Sequence, residues 1–183
     1  MSALPHDELQ RGLAELIPNL RAFARSLCGA PDRADDLVQE TLVKAWRYQS
    51  QFAAGSNLKA WLFTILRNAY LSERRKRKFE VEDVDGSLAE GLSVRGEQLG
   101  HMDFLDFQNA FARLPAEQKE ALVLIGAEGF SYEEAALMCG CAVGTVKSRV
   151  NRGRARLAEL LGVESGADLG GDERSVRHAA SGV

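Results

Sequence analysis

The stretch Phe79 to Gly100, FEVEDVDGSLAEGLSVRGEQLG, constrains how this chain can fold more than any other. It is acidic, holds four glycines and sustains no apolar period, so it reads as a linker with little fixed structure. By length a chain of 183 residues can be one domain or two small ones, and an interruption there favours two. On both sides apolar residues recur at three- and four-residue steps, and strand-like alternation is absent. The expected fold is all-α, two small helical bundles joined by a flexible acidic linker. The expected boundaries are 8–78 for the first bundle, 79–102 for the linker, 103–162 for the second bundle and 163–183 for a disordered tail.

Three helical patterns precede the linker. Leu9, Leu13, Leu16, Ile17, Leu20, Phe23, Ala24 and Leu27 set the first, Glu8 to Cys28, with Pro18 inside it as a candidate bend. Gly29-Ala30-Pro31 stops it. Ala34 to Gln49 follows, with Leu37, Val38, Thr41, Leu42, Ala45 and Trp46 on one face and Asp35, Asp36, Gln39, Glu40 and Lys44 opposite. On the residues alone, that acidic side is an ordinary solvated face. Gln51 to Asn57 reads as a loop, and Asn57 can cap a third helix, Leu58 to about Lys78. Leu58, Trp61, Leu62, Ile65, Leu66, Ala69 and Tyr70 turn inward there. The helix ends in the run Arg74 to Lys78, favoured at a helix C-terminus by the dipole. Trp61, Phe63, Arg67, Asn68 and Tyr70 combine rings with polar and basic groups, as binders of single-stranded nucleic acid do. Trp61 fits the core, whereas Phe63 lies off the main apolar face.

After the linker the spacing resumes at Met102 with Phe104, Leu105, Phe107, Ala110, Phe111 and Leu114. Pro115 marks a turn, and Glu117 to Gly126 forms another helix. Ser131 is an N-cap, with Glu133 and Glu134 opposing the dipole in the first turn. A break at Gly140 leads to a second run from Val143, where Lys147, Arg149, Arg152, Arg154 and Arg156 stand beside Val146, Val150, Leu157 and Leu160. Two helices, a short Gly-containing turn and a basic amphipathic second helix make a helix-turn-helix. The first residues of such a helix face base edges, which selects Thr145, Lys147, Ser148 and Arg149 for reading bases. Arg152, Arg154 and Arg156 lie further along and suit phosphates. The plainer reading, a solvated basic face, does not account for the turn before it.

Net charge is −3 with a pI of about 5.7, which argues against a general DNA-coating protein. The charge is uneven, however: Leu66 to Lys78 carries six Lys/Arg against one acid, and Phe79 to Asp103 seven acids against Arg95. No apolar run approaches the ~20 residues that span a membrane, and MSALPHDELQ lacks a secretory pattern. Three cysteines are too few for a disulfide scaffold. The expectation is a cytoplasmic protein with no membrane association. Cys139-Gly140-Cys141 invites a metal reading, but His6, His101 and His178 fall in segments expected to be terminal or linker, and the pair sits where small side chains pack a turn. No cofactor and no metal are expected. With no phosphate loop, nucleophile elbow or acid–base pair, the chain does not read as an enzyme.

Taken together, these blocks resemble a bacterial extracytoplasmic-function (ECF) sigma factor of the sigma-70 family, in which sigma-2 and sigma-4 domains are joined by a linker. DRADDLVQETLVKAWR, Asp32 to Arg47, resembles region 2.2, which in that family docks on the β′ clamp helices of RNA polymerase. The resemblance makes Asp35, Asp36, Gln39 and Glu40 polymerase contacts, against the reading of a solvated face. NLKAWLFTILRNAYLSERRKRK, Asn57 to Lys78, is similar to regions 2.3 and 2.4, which open and read the −10 element. It implies −10 contacts at Lys59, Trp61, Arg67, Asn68, Arg74 and Arg75, and a pocket for a flipped-out base in the loop Gln49 to Asn57. Leu114 to Leu157 resembles region 4, which binds the −35 element, here through Thr145, Lys147, Ser148, Arg149 and Arg152. FARSLCG, NLKAWLFTILRN, EGFSYEEAA and CGCAVGTVKSRVNR most resemble the EcfG type, the general stress response sigma factors of alphaproteobacteria. That type implies a NepR-type anti-sigma factor, released by a phosphorylated PhyR-type regulator. The implied partners are core RNA polymerase, promoter DNA and that anti-sigma factor. The alternative is a sigma-like mimic that sequesters an anti-sigma factor. A plain helix-turn-helix repressor would leave Asp32 to Lys78 unexplained.

Overall fold

The computed structural model describes residues 6–53, 55–81 and 100–163, and every regular element among them is helical. Most of the expected linker and nearly all of the expected tail, residues 82–99 and 164–183, lie outside the described residues. Contacts divide the chain into two units, 1–92 and 93–183.

In the first unit, helices α1 (His6–Cys28), α2 (Pro31–Arg47) and α3 (Leu58–Val81) pack pairwise on one another. Pro31 takes the first position of α2, where its missing N–H costs nothing. A 3-10 turn, Gln49–Gln51, follows α2. The Asn57 side-chain oxygen accepts the Ala60 N–H at 3.1 Å, so the expected cap of α3 forms. With no Gly or Pro before Gly86, α3 continues three residues past Lys78. Likewise α4 already begins at Gly100, so both ends of the expected linker are helical.

Leu9, Leu13, Leu20 and Phe23 of α1 meet Leu37, Val38 and Ala45 of α2 and Leu62, Phe63 and Leu66 of α3 in the core. Buried Thr41 is satisfied by the Leu37 carbonyl at 2.7 Å. Two side chains depart from the sequence expectation. Phe63 is 1% exposed and stacks on Phe23 with ring centroids 4.9 Å apart. It is not a free ring for nucleic acid. Because α3 packs on both α1 and α2, its buried arc is wider than one stripe and takes in Phe63. Conversely Trp46, placed on the apolar face of α2 by period, stands 41% exposed in the last turn.

The second unit contains α4 (Gly100–Ala112), α5 (Ala116–Leu122), α6 (Tyr132–Cys139) and α7 (Val143–Leu161). The helix expected over Glu117 to Gly126 is α5 followed by a wider π turn, Val123–Ala127, in which the Glu128 N–H reaches the Val123 carbonyl at 2.9 Å. Ser131 forms a full capping box: its hydroxyl accepts the Glu134 N–H at 3.1 Å, and its own N–H donates to Glu134 Oε2 at 2.9 Å. Gly140 ends α6 at φ 62°, a left-handed conformation costly for other residues. The Cys141 N–H then closes back on the Ala136 carbonyl at 3.1 Å. Val146, Val150, Gly153 and Leu157 of α7 are buried. A Cβ on Gly153 would stand 2.8 Å from Leu122 Cδ1, so the Leu122 side chain of α5 fills the space a larger residue at 153 would need.

Phe63→Ala should cost about 3–5 kcal/mol, the usual loss for a buried aromatic, measured by chemical denaturation. A fold left at full stability would contradict a core role. Ser131→Ala should cost roughly 1 kcal/mol in the same assay.

Candidate nucleic-acid interface

Burial along one side of α7 decides which of its polar groups reach solvent. With 3.6 residues per turn, Val146, Val150, Gly153 and Leu157 hold one stripe against the unit. Thr145, Ser148 and Arg152 then form a ladder on the other side. The Ser148 hydroxyl donates to the Thr145 carbonyl at 3.0 Å. Arg152 folds back on the same residue, Nε to the Ser148 carbonyl at 3.2 Å and Nη2 to Ser148 Oγ at 3.0 Å. Lys147 and Arg149, two residues apart, lie on opposite flanks. Lys147 is exposed and places Nζ 5.4 Å from the ring centre of Tyr132 on α6. Arg149 leans the other way, with Nη2 3.1 Å from Glu117 Oε2 of α5 and Nη1 3.8 Å from Cys141 Sγ. The side chains expected to read bases are therefore spread across the width of the helix rather than gathered in one row. Asn151, exposed between the flanks, joins them. Its position three residues after Ser148 was the signal that could have found it.

On α3, seven-residue steps place Trp61, Asn68 and Arg75 in one row, and Arg67 and Arg74 in the next. Asn68, Arg74 and Arg75 are exposed, Arg67 half-buried. Trp61 is partly buried, its ring centroid 5.1 Å from that of Phe52. Phe52 is 4% exposed and anchors the loop before α3. It was missed because a lone aromatic in a polar loop has no period to reveal it. Ala54 of that loop lies outside the described residues. Lys59 does not share these rows; its ammonium sits 5.7 Å from the Phe63 ring centre. Below the basic end of α3, Glu73 receives Arg33 at 3.2 Å and Arg77 at 2.9 Å, tying the start of α2 to this helix.

On α2, Asp36, Gln39 and Glu40 are exposed. Asp35 is turned toward α1 and accepts Arg21 Nε at 3.0 Å, so it bridges two helices within the unit. Glu40 pairs with Lys44 at 2.6 Å, one turn on. Val43, 60% exposed, continues the row of Asp36 and Glu40, and Trp46 flanks it. The acidic face thus ends in an apolar step that period alone assigned in part to the core.

All three cysteines are free thiols, with Cys139 buried and Cys28 and Cys141 half-buried. Burial pushes the Cys28 thiol up, away from a reactive thiolate.

These faces coincide with two known modules. Residues 13–80 match the family described as sigma-70 region 2, and residues 104–157 match sigma-70, region 4. The chain is 55% identical to the ECF RNA polymerase sigma factor EcfG of Rhodopseudomonas palustris, over 91% of this chain and 92% of that one. It is 37% identical to the ECF RNA polymerase sigma factor SigE of Mycolicibacterium smegmatis, over 90% of this chain and 65% of the relative. Among solved structures it is similar to the sigma factor RpoE from Bartonella quintana, determined in complex with the anti-sigma factor NepR. That match has a TM-score of 0.79 and 54% identity, and covers 86% of this chain and 99% of the other. With both modules in order and relatives matched nearly end to end, the chain belongs to the ECF RNA polymerase sigma factors of the sigma-70 family.

Proposed function

We propose that α2 holds core RNA polymerase while α3 and α7 grip the −10 and −35 elements of a promoter. As a sigma factor the chain directs core polymerase to promoters, here in a stress response. The observation that carries the division of labour is the polar surface of each unit: acids on the exposed side of α2, a basic surface with Trp61 on α3, and a basic, polar surface on α7. Asp36, Gln39 and Glu40, with Val43 and Trp46 beside them, form the polymerase surface, and Asp35 shapes it through Arg21. Trp61, Arg67, Asn68, Arg74 and Arg75 contact the melted −10 strand, with Lys59 at the edge of that surface. The loop before α3, anchored by Phe52 on Trp61, receives a base turned out of the stack. On α7, Thr145, Lys147, Ser148, Arg149 and Arg152 contact the −35 duplex. The protein carries out no catalysis itself, needs no cofactor and works in the cytoplasm. No helix among the described residues is long and apolar enough to cross a membrane. Similarity to a sigma factor solved with NepR supports a NepR-type anti-sigma factor as its inhibitor. A mimic that only sequesters an anti-sigma factor would have no use for the bases of α3 and α7.

Neutralising only ~3 to 5 phosphates per unit leaves each grip weak at physiological salt. Polymerase, by holding both units, raises the effective concentration of the second grip once the first has bound.

Run-off transcription with purified core polymerase should give a promoter-dependent transcript that a NepR-type protein suppresses. No such transcript from any stress-type promoter would refute the proposal. Reversing charge at Asp36→Lys and Glu40→Lys together should weaken core binding at least tenfold while leaving the melting temperature within a few degrees. Unchanged co-purification with core would remove α2 from the polymerase surface.

A further inference from the structure

Arg149 is the one base-reading candidate on α7 that α5 also holds, although 32 residues separate it from Glu117. Its side chain is only 19% exposed, whereas that of Glu117 is 68% exposed at the start of α5. A guanidinium carries five N–H donors in a rigid fork. One points at Glu117 Oε2, 3.1 Å away, and one at Cys141 Sγ, 3.8 Å away. That leaves three donors, and the plane in which they lie is set by a carboxylate from another helix and a thiol from the turn. Arg152, by contrast, is held only by its own helix, through Ser148.

We infer that Glu117 is a positioning residue for −35 recognition: it fixes the angle of the Arg149 fork and so determines which base edge Arg149 can meet. This rests on the reading of α7 as the −35 reader. The carboxylate has a second consequence. It puts a negative charge beside the DNA-facing helix, where it repels phosphates of any sequence. An unrestrained Arg149 could swing to the nearest phosphate and give affinity without discrimination. The paired Arg149 gives up some of that affinity and keeps a fixed direction. Glu117 therefore acts on general affinity and on selectivity in opposite senses, and a residue that merely stabilised the fold would not do so.

The test uses the full chain assembled with core polymerase and a panel of promoters substituted singly through the −35 element. Occupancy is measured for the unaltered protein, Glu117→Ala, Glu117→Gln, Arg149→Ala and the Glu117→Ala/Arg149→Ala double variant. Glu117→Ala should bind every member of the panel a few-fold tighter. It should also lose at least about fivefold discrimination at the position that Arg149→Ala flattens, the low end of what one bidentate base contact supplies. The double variant should discriminate there no worse than Arg149→Ala alone, since both changes remove one interaction. Glu117→Gln, which keeps an acceptor, should retain most of the discrimination. A Glu117→Ala profile parallel to that of the unaltered protein, or flattened only at a position Arg149 does not govern, would overturn the assignment while leaving the −35 reading intact. A flat profile for the unaltered protein would overturn the −35 reading itself.

Discussion

The contact of Gly153 with Leu122 sets what the second unit can do. A helix presents a DNA-reading surface only if its rotation about its own axis is fixed. On α7 that rotation is set by buried Val146, Val150 and Leu157 on either side of Gly153, where the Leu122 side chain of α5 occupies the place of a Cβ. No larger residue at position 153 leaves α7 where it is without displacing Leu122. The same pair of helices carries the ion pair of Glu117 with Arg149. The capping box at Ser131 and the left-handed Gly140 then set where α6 ends and α7 begins. The cap is a local device worth about 1 kcal/mol, but with Gly140 it places the first residues of α7, which carry the polar ladder.

In the first unit the equivalent part is played by the stack of Phe23 on Phe63. It joins α1 to the first turns of α3, and Glu73 joins the start of α2 to the basic end of the same helix. Along the helix that these two points hold, Trp61, Asn68 and Arg75 line up in one row. The surface ion pairs themselves, half-exposed, add little stability. Their effect is geometric, since they hold long basic side chains in one orientation relative to the helix axis. A rigid scaffold with polar groups displayed on one side suits a protein whose work is to position nucleic acid.

Much of this is legible in the sequence. Elements with a period of three or four residues, and caps whose partners lie three residues apart such as Ser131 with Glu134, are local signals that spacing alone reveals. Phe63 was misread because one helix packing on two neighbours buries a wider arc than a single stripe. Trp46 was misread because a period continues to the end of a helix even where the core does not. Asp35 could not be separated from Asp36 in the sequence; only the position of Arg21 on α1 turns one inward and leaves the other out. The pairing of Glu117 with Arg149 was invisible for the same reason, as no period links residues so far apart. The packing shows which side chains on each face are exposed and which are turned toward neighbouring helices.

Two units with modest basic surfaces and a chain of net charge −3 describe a protein that should hold DNA poorly alone and well when polymerase holds it. Titrating labelled promoter duplex with the chain alone and with the chain on core polymerase, across a range of salt, measures that difference directly. The account predicts weak, salt-sensitive and nearly sequence-blind binding by the free chain. On polymerase, binding should be tight and lost when either element is scrambled. Tight, sequence-specific binding by the free chain, equal to that of the assembled enzyme, would contradict it.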